Sequence, residues 1–359
     1  MDQLGGSGTA GVQVRPAAGG RRKGPGPSMA DVAALAQVSS QTVSRVANGH
    51  PSVRADTRDR VLAAMETLGY APNTAARALR YGRFGTIGLI AHRLARTGES
   101  RTVEGVVEAA RALGLTVTLV DVLAPTTHDM TEAVAQLNHQ SIDGLVIIRS
   151  ELSATENLLL PARLPVVVSD SRLLGSRPAV GTDQGQGSRL LVEHLLGLGH
   201  RTVHHLAGPA ESGPAQERRD VWAQVLRAAG RPVPPHGEGD WTAQAGYAWG
   251  AGLDLDDVTA VFCANDEMAA GVVRALHERG VRVPQEVSVV GFDDVALAGY
   301  LWPPLTTVRQ DFQKIGAELV RLLAEQMDSG QDMSDVHVTV PVELVTREST
   351  APPRTGALR

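Results

Sequence analysis

The most restrictive feature of this sequence is an alternation that begins at Thr86. Short runs rich in Val, Ile and Leu alternate from there onward with amphipathic stretches of helical spacing. Such alternation builds parallel sheets with helices on both faces. Because the region spans about 270 residues, too many for one hydrophobic core, we expect two lobes. The predicted strands are 87–91, 115–122, 144–148, 165–169, 203–207, 260–264 and 287–291, and the predicted helices include 104–113, 186–196 and 267–279.

Three short helices are predicted ahead of this region. Ser28 and Asp31 have the spacing of a helix-capping box, and an apolar stripe that includes Leu35 follows them. Ser39 is a favourable N-cap for a second helix, and Gly69 ends a third. Three short helices with a tight link between the first two indicate a helix-turn-helix.

The second helix of such a motif enters the major groove of DNA. Ser40, Gln41 and Arg45 should then face base edges, since Gln pairs with adenine and Arg with guanine. Other polar side chains are suited to phosphate contacts, which position a protein without reading sequence. These are Ser39, Thr42, Ser44 and Asn48.

Charge is distributed unevenly along the chain. Residues 1–83 carry eleven Lys or Arg and five Asp or Glu, a net charge of +6, which leaves −11 for the remainder. A basic head on an acidic body favours a polyanionic partner. A basic disordered tail without a target is the alternative, because residues 1–27 are rich in Gly, Pro and Ala and hold four of these cations. Those four are Arg15, Arg21, Arg22 and Lys23.

The segment 31–49 (DVAALAQVSSQTVSRVANG) resembles the DNA-binding head of the lactose and galactose repressor (LacI/GalR) family. Four further motifs resemble the body of that family: VEHL at Val192, ANDEMA at Ala264, SVVGFDD at Ser288 and PPLTTVRQDF at Pro303. Within the family, the resemblance is strongest to its lactose-responsive members. The resemblance implies an all-α helix-turn-helix head and an α/β core of two Rossmann-like lobes, similar to periplasmic sugar-binding proteins.

These features predict the following organisation: a disordered tail (1–27), a DNA-binding domain (28–71), a hinge (72–83), an effector-binding and dimerisation domain (84–350) and a short tail (351–359). The N-lobe is expected to comprise 84–182 and 311–340, and the C-lobe 184–308 and 341–350.

The resemblance implies that Asn73 and Leu79 contact DNA and that the hinge folds on the operator, with Leu79 wedged into the minor groove. A plain linker with Leu79 packed on the body is the alternative.

An effector site is expected beyond the carboxyl ends of the strands, where ligands bind in open α/β sheets. The resemblance places six positions at the family's sugar contacts, and Phe312 is a candidate for an apolar stacking face. These positions are Asp170, Arg218, Trp241, Asn265, Asp293 and Gln310. They indicate a galactoside-like effector.

Alternatives remain for most of these residues. Asn265 and Asp293 are also suited to cap helices, Trp241 to a core, and Arg218 to a solvated helix face. Asp266 is interpreted as a helix cap, and Asp294 as a cap or a surface charge. Arg93 and Arg96 stand where the family closes over its ligand, which favours a larger, acidic or phosphorylated sugar unless they are merely exposed. These cations and flanking residues form the segment 91–100.

Several classes of function are not favoured. The lone cysteine, Cys263, excludes an internal disulfide and fits the cytoplasm. No apolar run is long enough to span a bilayer, and the N-terminus lacks the pattern of a secretory signal. No Cys or His cluster has zinc spacing, and no cofactor motif is present. Asp293 and Asp294 are adjacent, which does not suit the separated acid and base of a glycosidase.

We therefore predict a homodimeric transcription repressor, not an enzyme, that is released from operator DNA by a small sugar. The alternatives are a transport-type sugar-binding protein and a corepressor-dependent regulator with a different effector. The N-lobe helix 101–113 is a candidate for the dimer interface. No heptad helix follows Arg347, so an additional tetramer bundle is not expected.

Overall fold

The computed structural model describes residues 27–47, 50–71, 82–122, 126–148, 160–161, 163–169 and 177–354. The chain divides into two compact units, Met1–Tyr81 and Gly82–Arg359. Some predicted features lie outside the described residues and remain predictions. They are the N-terminal tail up to residue 26, most of the hinge and the site residues Asn48, Asn73, Leu79 and Asp170.

The first unit contains the three predicted helices, α1 (Met29–Ala36), α2 (Ser40–Ala47) and α3 (Ala55–Leu68). The capping box at the start of α1 is confirmed, since the Ser28 hydroxyl accepts from the Asp31 amide while the Asp31 carboxylate accepts from the Ser28 amide. A small apolar core joins the three helices. Its fully buried members are Val32, Val43 and Val61.

Two local features of the first unit bear on the sequence analysis. Leu35 is not a core residue, because it is 51% exposed while Ala33 and Ala36 are buried in its place. Its angular position around α1 falls outside the buried arc. Gln37 ends α1 in the left-handed region with φ of 53°, where its amide donates to Ala33 and Ala34 carbonyls. The turn between α1 and α2 therefore contains a glutamine in a left-handed backbone conformation, which non-glycine residues rarely adopt.

The body contains two parallel sheets. The strands of the first are β1 (Thr86–His92), β2 (Thr116–Val122), β3 (Gly144–Ile148), β4 (Val166–Ser169), β5 (Ala179–Thr182) and β11 (His337–Val340), in the order β11-β5-β4-β3-β1-β2. Its helices are α4 (Thr97–Ala112), α5 (Thr127–His139) and α10 (Phe312–Ser329). Helices cover both faces of this sheet, since one core cluster joins it to α4 and α10 and another joins it to α5.

The second sheet has the order β7-β6-β8-β9, and its strands are β6 (His204–Ala207), β7 (Gly237–Glu238), β8 (Ala260–Cys263) and β9 (Ser288–Val290). Four helices accompany it: α6 (Gln184–Gly197), α7 (Gly213–Ala228), α8 (Ala243–Gly252) and α9 (Asp266–Glu278). A 3₁₀ helix (Ala296–Tyr300) precedes β10 (Thr307–Arg309), which pairs antiparallel with β12 (Glu343–Val345). These sheets and helices confirm the two-lobed α/β fold class.

The chain crosses between the two lobes three times. It passes from β5 into α6, returns from β10 into α10, and crosses again from β11 into β12. The carboxyl ends of strands from both sheets therefore lie near these crossings, where ligands bind in such folds. Among the residues that the structure describes, no helix is both long and apolar enough to cross a membrane.

Helices α8 and α9 pack closely through two glycines. A Cβ added at Gly271 would clash with the Ala243 carbonyl oxygen and lie 2.5 Å from the Tyr247 amide nitrogen, and one at Gly246 would clash with Met268 backbone atoms. Only glycine permits this approach of two backbones.

Gly271→Ala is therefore expected to destabilise the body by about 1–3 kcal/mol, because the added methyl must push α8 and α9 apart. The control is Gly252→Ala, since a Cβ at Gly252 at the end of α8 meets nothing within 4 Å. Urea unfolding measures both variants. Equal stability of the two variants would contradict this packing.

His205 is fully buried between the rings of Trp222 and Phe262. Burial lowers the pKa of His205 to about 3, against a hydrogen bond with the Phe262 carbonyl that opposes the shift. The positive charges of Arg218 and Arg219 act in the same direction as burial. His205 is therefore neutral in the folded chain across the range in which an unfolded histidine titrates.

The unfolded chain thus binds one more proton than the folded chain between pH 6.5 and about 3, and stability falls as the pH is lowered through this window. We expect His205→Phe to reduce the slope of unfolding free energy against pH by up to about 1.4 kcal/mol per pH unit. The raised pKa of the buried Asp266 makes the unfolding free energy change with pH in the opposite direction. Because Asp266 is present in both the parent protein and the His205→Phe variant, its effect cancels when their slopes are compared. His337→Phe, at an exposed position, is the control, and an identical slope in both variants would contradict the assignment.

Candidate functional site

Helix α2 presents one face to the core and another to the surroundings. Val43 and Val46 are buried, whereas Ser40, Gln41 and Arg45 are exposed. Gln41 and Arg45 are four residues apart and therefore share one side of the helix. This exposed side has the donor and acceptor groups that base recognition in the major groove requires.

The residues expected to contact phosphate have local roles as well. The Ser39 hydroxyl accepts from the Thr42 amide at 3.1 Å and lies 3.0 Å from the Thr42 hydroxyl, so Ser39 caps α2. Ser44 is half-buried on the same helix. The Ser39 cap therefore occupies the Thr42 amide, and the expected phosphate contacts of these residues stay predictions.

A cavity of about 490 Å³ lies between the two sheets of the body. This volume falls within the range of about 300–1,000 Å³ that small-molecule sites occupy. Its wall comes from the β1–α4 connection, the end of β2, the β7–α8 connection and the start of α9, together with side chains of α7 and of the loop after β9. The lining residues are Arg93, Leu94, Ala95, Arg96, Thr97, Gly98, Asp121, Arg218, Asp240, Trp241, Thr242, Ala243, Asn265, Glu267 and Asp293.

Arg218 forms part of the floor of this cavity and is only 2% exposed. Its Nε donates to Gln184 Oε1 at 2.8 Å, one terminal nitrogen donates to the Ala264 carbonyl, and the other lies 3.6 Å from Asp293 Oδ1. The guanidinium also stacks 3.7 Å from the centre of the Phe292 ring. Arg218 is thus a fixed, paired cation at the cavity floor and does not lie on a solvated helix face.

The Asp293 carboxylate is positioned by a hydrogen bond from Gln310. The Gln310 amide donates to Asp293 Oδ1 at 2.5 Å, and its own oxygen accepts from the Thr182 hydroxyl and the Gln184 amide. Gln310 is 4% exposed and does not line the cavity. Gln310 therefore supports Asp293, whose carboxylate lines the cavity beside Arg218.

Asn265 both caps a helix and lines the cavity. Its Oδ1 accepts from the Met268 amide at 2.9 Å, while its Nδ2 donates to the Trp241 carbonyl and to Glu267 Oε2. Glu267 Oε1 in turn accepts from the Thr97 hydroxyl at 2.5 Å, across the cavity at the start of α4. This hydrogen bond joins the two lobes on one side of the cavity.

Trp241 is half-buried and packs against Gly208, where any added Cβ would clash with the indole ring. The ring packs on the core of the second lobe and remains part of the cavity wall. The Arg218 guanidinium carbon lies 5.6 Å from the ring centre. An indole face beside fixed polar groups suits the apolar face of a sugar ring.

Three lining residues have left-handed backbone conformations. The φ angles are 56° at Arg93, 74° at Trp241 and 114° at Asp293. Non-glycine residues rarely adopt such angles, and they occur mainly where the surrounding structure enforces a functional geometry. Their concentration in one cavity supports its assignment as the functional site.

The structure brings together Arg218, Trp241, Asn265 and Asp293 but not Phe312. Phe312 is 3% exposed in the core of the first lobe, where the first turn of α10 buries it. It borders a separate recess of about 460 Å³ rather than the cavity. Its predicted role as a stacking face is not supported by this position.

The structure corrects the roles expected for two carboxylates, Asp266 and Asp294. Asp266 does not cap its own helix, because its oxygens accept from the Val295 amide and the Thr307 hydroxyl. Burial, and then the charge of Asp293, raise the pKa of Asp266 well above its usual range. Asp294 is neither a cap nor a surface charge, since it pairs with Arg309 and Arg347 at 2.7 and 2.6 Å.

Five further polar residues line the cavity without having been predicted individually: Thr97, Asp121, Asp240, Thr242 and Glu267. Glu267 follows Asn265 by two residues, and Asp240 precedes Trp241, so proximity to predicted contacts was an available signal for both. Thr97 follows Arg96 within the segment 91–100 and Thr242 follows Trp241, so both had a comparable signal. Asp121 had none, because only the packing of β2 places it at the cavity. Arg93 and Arg96, noted in the sequence, also line it.

A helix-turn-helix unit and a two-lobed body whose inter-lobe cavity is lined by charged and polar side chains define the class of ligand-responsive DNA-binding regulators. Residues 28–73 match bacterial regulatory proteins of the lacI family, and residues 192–350 match a periplasmic binding protein-like domain. The lactose operon repressor of Escherichia coli (strain K12) is 37% identical over 338 residues, which cover 90% of this chain and 91% of that protein. The chain belongs to the LacI family of transcription regulators.

Solved structures agree with this assignment. The lac repressor dimer bound to operator and the anti-inducer ONPF has a TM-score of 0.80 and 33% identity, covering 91% of this chain and all of that chain. The complex of the transcriptional regulator CelR with cellobiose has a TM-score of 0.66 and 30% identity, covering 90% of this chain and 99% of that chain. The relatives are regulators rather than enzymes, which confirms the predicted class.

Proposed function

We propose that this chain represses genes for carbohydrate use and that a small sugar, a galactoside, releases it from operator DNA. The observation that carries the proposal is the convergence of Arg218, Trp241, Asn265 and Asp293 on one cavity. These four residues come from separate segments of the chain, and the resemblance implies that each stands at a sugar-contact position of the family. Carboxylate, amide and guanidinium groups beside an indole face are what a polyhydroxylated ring needs.

The relatives support both halves of the proposal. A lac repressor dimer is bound to operator in one solved structure, and a CelR structure contains cellobiose. The exposed Gln41 and Arg45 supply base-reading groups on this chain. A homodimer would place two copies of α2 on a pseudo-palindromic operator.

Two body surfaces are available for dimerisation. Leu297, Tyr300 and Trp302 are 60%, 85% and 89% exposed around the 3₁₀ helix, which is unusual for large apolar side chains in one segment. Helix α4, proposed from the sequence, is buried on one side against α10, which leaves its outer side for a partner. We propose that the dimer uses these two surfaces.

The mechanism is a shift between two populations. Sugar in the cavity contacts both lobes, changes their relative arrangement and thereby lowers the affinity of the head for operator. Thermodynamic linkage requires operator DNA to lower sugar affinity by the same factor. An effector that acts as a corepressor would reverse the sign of the coupling free energy between the two ligands, and operator DNA would then raise sugar affinity.

The test is a titration of the full chain on labelled DNA from upstream of its own gene, followed by fluorescence anisotropy. Galactosides are then added, with glucosides as comparison sugars. Release of specifically bound DNA by a galactoside supports the proposal. Binding of DNA that no sugar changes, with no heat of sugar binding by calorimetry, would contradict the effector assignment and leave the DNA assignment standing.

A further inference from the structure

The cavity has two layers that differ in burial. Arg218, Asn265 and Asp293 form a buried floor with exposures of 2%, 5% and 7%. Asp121 and Asp240, in contrast, are exposed residues of the same wall. The outer layer, called the rim here, comprises Arg93, Arg96, Asp121 and Asp240.

The floor alone provides the contacts of a single sugar ring. Asp293 offers a carboxylate and Arg218 a guanidinium to neighbouring hydroxyls, while Trp241 offers an apolar face. A cavity of about 490 Å³ is nevertheless of the size that accommodates a drug-sized molecule, and a single pyranose is much smaller than that. The floor therefore accounts for only part of the cavity.

The rim is polar and contains charges of both signs. The wall as a whole holds three guanidinium groups and four carboxylates. Arg96 lies 4.0 Å from the buried Glu99, and its charge also acts on Asp240. A dianionic phosphate at the rim would meet Asp121 and Asp240 as well as the arginines, which like-charge repulsion disfavours. Hydroxyl groups use donors and acceptors of both kinds without that cost.

We propose that the cavity binds a neutral saccharide of at least two units, one ring on the floor and the second on the rim between Arg96, Asp121 and Asp240. This inference rests on the proposed function and specifies its effector. It excludes free monosaccharides and sugar phosphates as the cognate effector, including the phosphorylated sugars that Arg93 and Arg96 suggested from the sequence.

The test compares affinities of the full chain, measured by calorimetry, for three sets of probes. The first set is galactose and glucose, the second is lactose, melibiose and cellobiose, and the third is galactose 6-phosphate and glucose 6-phosphate. We expect one disaccharide to bind at least about 10-fold more tightly than its monosaccharides, because rim hydrogen bonds to charged groups add to those of the floor. The sugar phosphates should bind no more tightly than the parent sugars.

A rim variant adds a position-specific test. Asp121→Ala combined with Asp240→Asn should weaken disaccharide binding about 10-fold and change monosaccharide binding less than about 2-fold. Asparagine at position 240 retains an acceptor for the Thr242 amide, so the loop is preserved. Asp256→Ala, at an exposed position that does not line the cavity, is the matched control.

The outcomes separate this inference from the proposed function. A monosaccharide that binds as tightly as every disaccharide, a preferred sugar phosphate, or a rim variant that weakens both sugar classes equally would overturn the inference while sugar regulation stands. Failure of all saccharides to bind or to release DNA would overturn both.

Discussion

Replacing Arg45 with alanine is expected to remove sequence-specific DNA binding while sugar binding stays unchanged. Arg45 is exposed on α2, in reach of a guanine edge if that helix enters the major groove. A lost Arg–guanine contact costs about 1–3 kcal/mol of discrimination. A symmetric operator loses that contact twice, about 2–6 kcal/mol, which reduces specific affinity by about 30-fold to about 10⁴-fold. Anisotropy with operator and scrambled DNA measures the change in their affinity ratio.

The control for Arg45 is Arg60→Ala. Arg60 is exposed on α3, so this variant removes the same charge from the head without altering α2. It should lower affinity for both DNAs alike, because phosphate contacts are independent of sequence. If Arg45→Ala also lowered affinity for both DNAs alike, α2 would not be reading bases. Calorimetry with sugar then checks that Arg45→Ala leaves sugar affinity unchanged.

Asp293→Asn is expected to have the opposite effect, with sugar binding weakened about 10- to 100-fold and operator binding retained. A hydrogen bond to a charged group contributes about 1.5–3 kcal/mol, and asparagine removes the charge while keeping an acceptor for Gln310. Asparagine also tolerates the positive φ of this position better than alanine does. The repressor would then bind operator and fail to respond to sugar.

Asparagine is preferred to alanine because it keeps the side-chain shape and an oxygen acceptor beside the buried Arg218. It still removes the negative charge, and breaking a buried charge pair destabilises a protein by about 3–5 kcal/mol, so loss of folding has to be separated from loss of the site. Thermal unfolding therefore accompanies the binding measurement. Unaltered sugar affinity in a stable Asp293→Asn protein would remove Asp293 from the effector site.

Together these two variants test the separation of roles between head and body. Each predicted loss is confined to one ligand, although linkage couples the two ligands in the intact protein. A folded variant that lost both activities would contradict the separation.

The local elements were predictable because their signals lie within a few residues. The capping box at Ser28, the N-cap at Ser39 and the left-handed cap at Gly69 are set by neighbouring backbone amides and carbonyls. The buried strands β1, β3 and β8 were found because both faces of a parallel sheet are apolar. Leu35 was placed wrongly, since helical spacing alone does not fix where the buried arc ends.

Several short strands were not predicted. β7 has two residues, and β10 and β12 have three each, so none is long enough to show a pattern. β5 and β11 were also missed. These strands form through pairing with distant segments, which no local window of sequence contains.

The sequence by itself determined the class of fold, the three helices of the head and the floor residues of the cavity, because helix caps, apolar periodicity and family motifs are local. Only the tertiary structure decided what surrounds those residues. Gln310 is hydrogen-bonded to Asp293 outside the cavity, and Phe312 is buried in the core of the first lobe. Thr97, Asp121, Asp240 and Glu267 lie at the same cavity as the predicted residues. The reason is physical: burial and charge pairing depend on neighbours from other elements, and packing of the two lobes alone creates those neighbours.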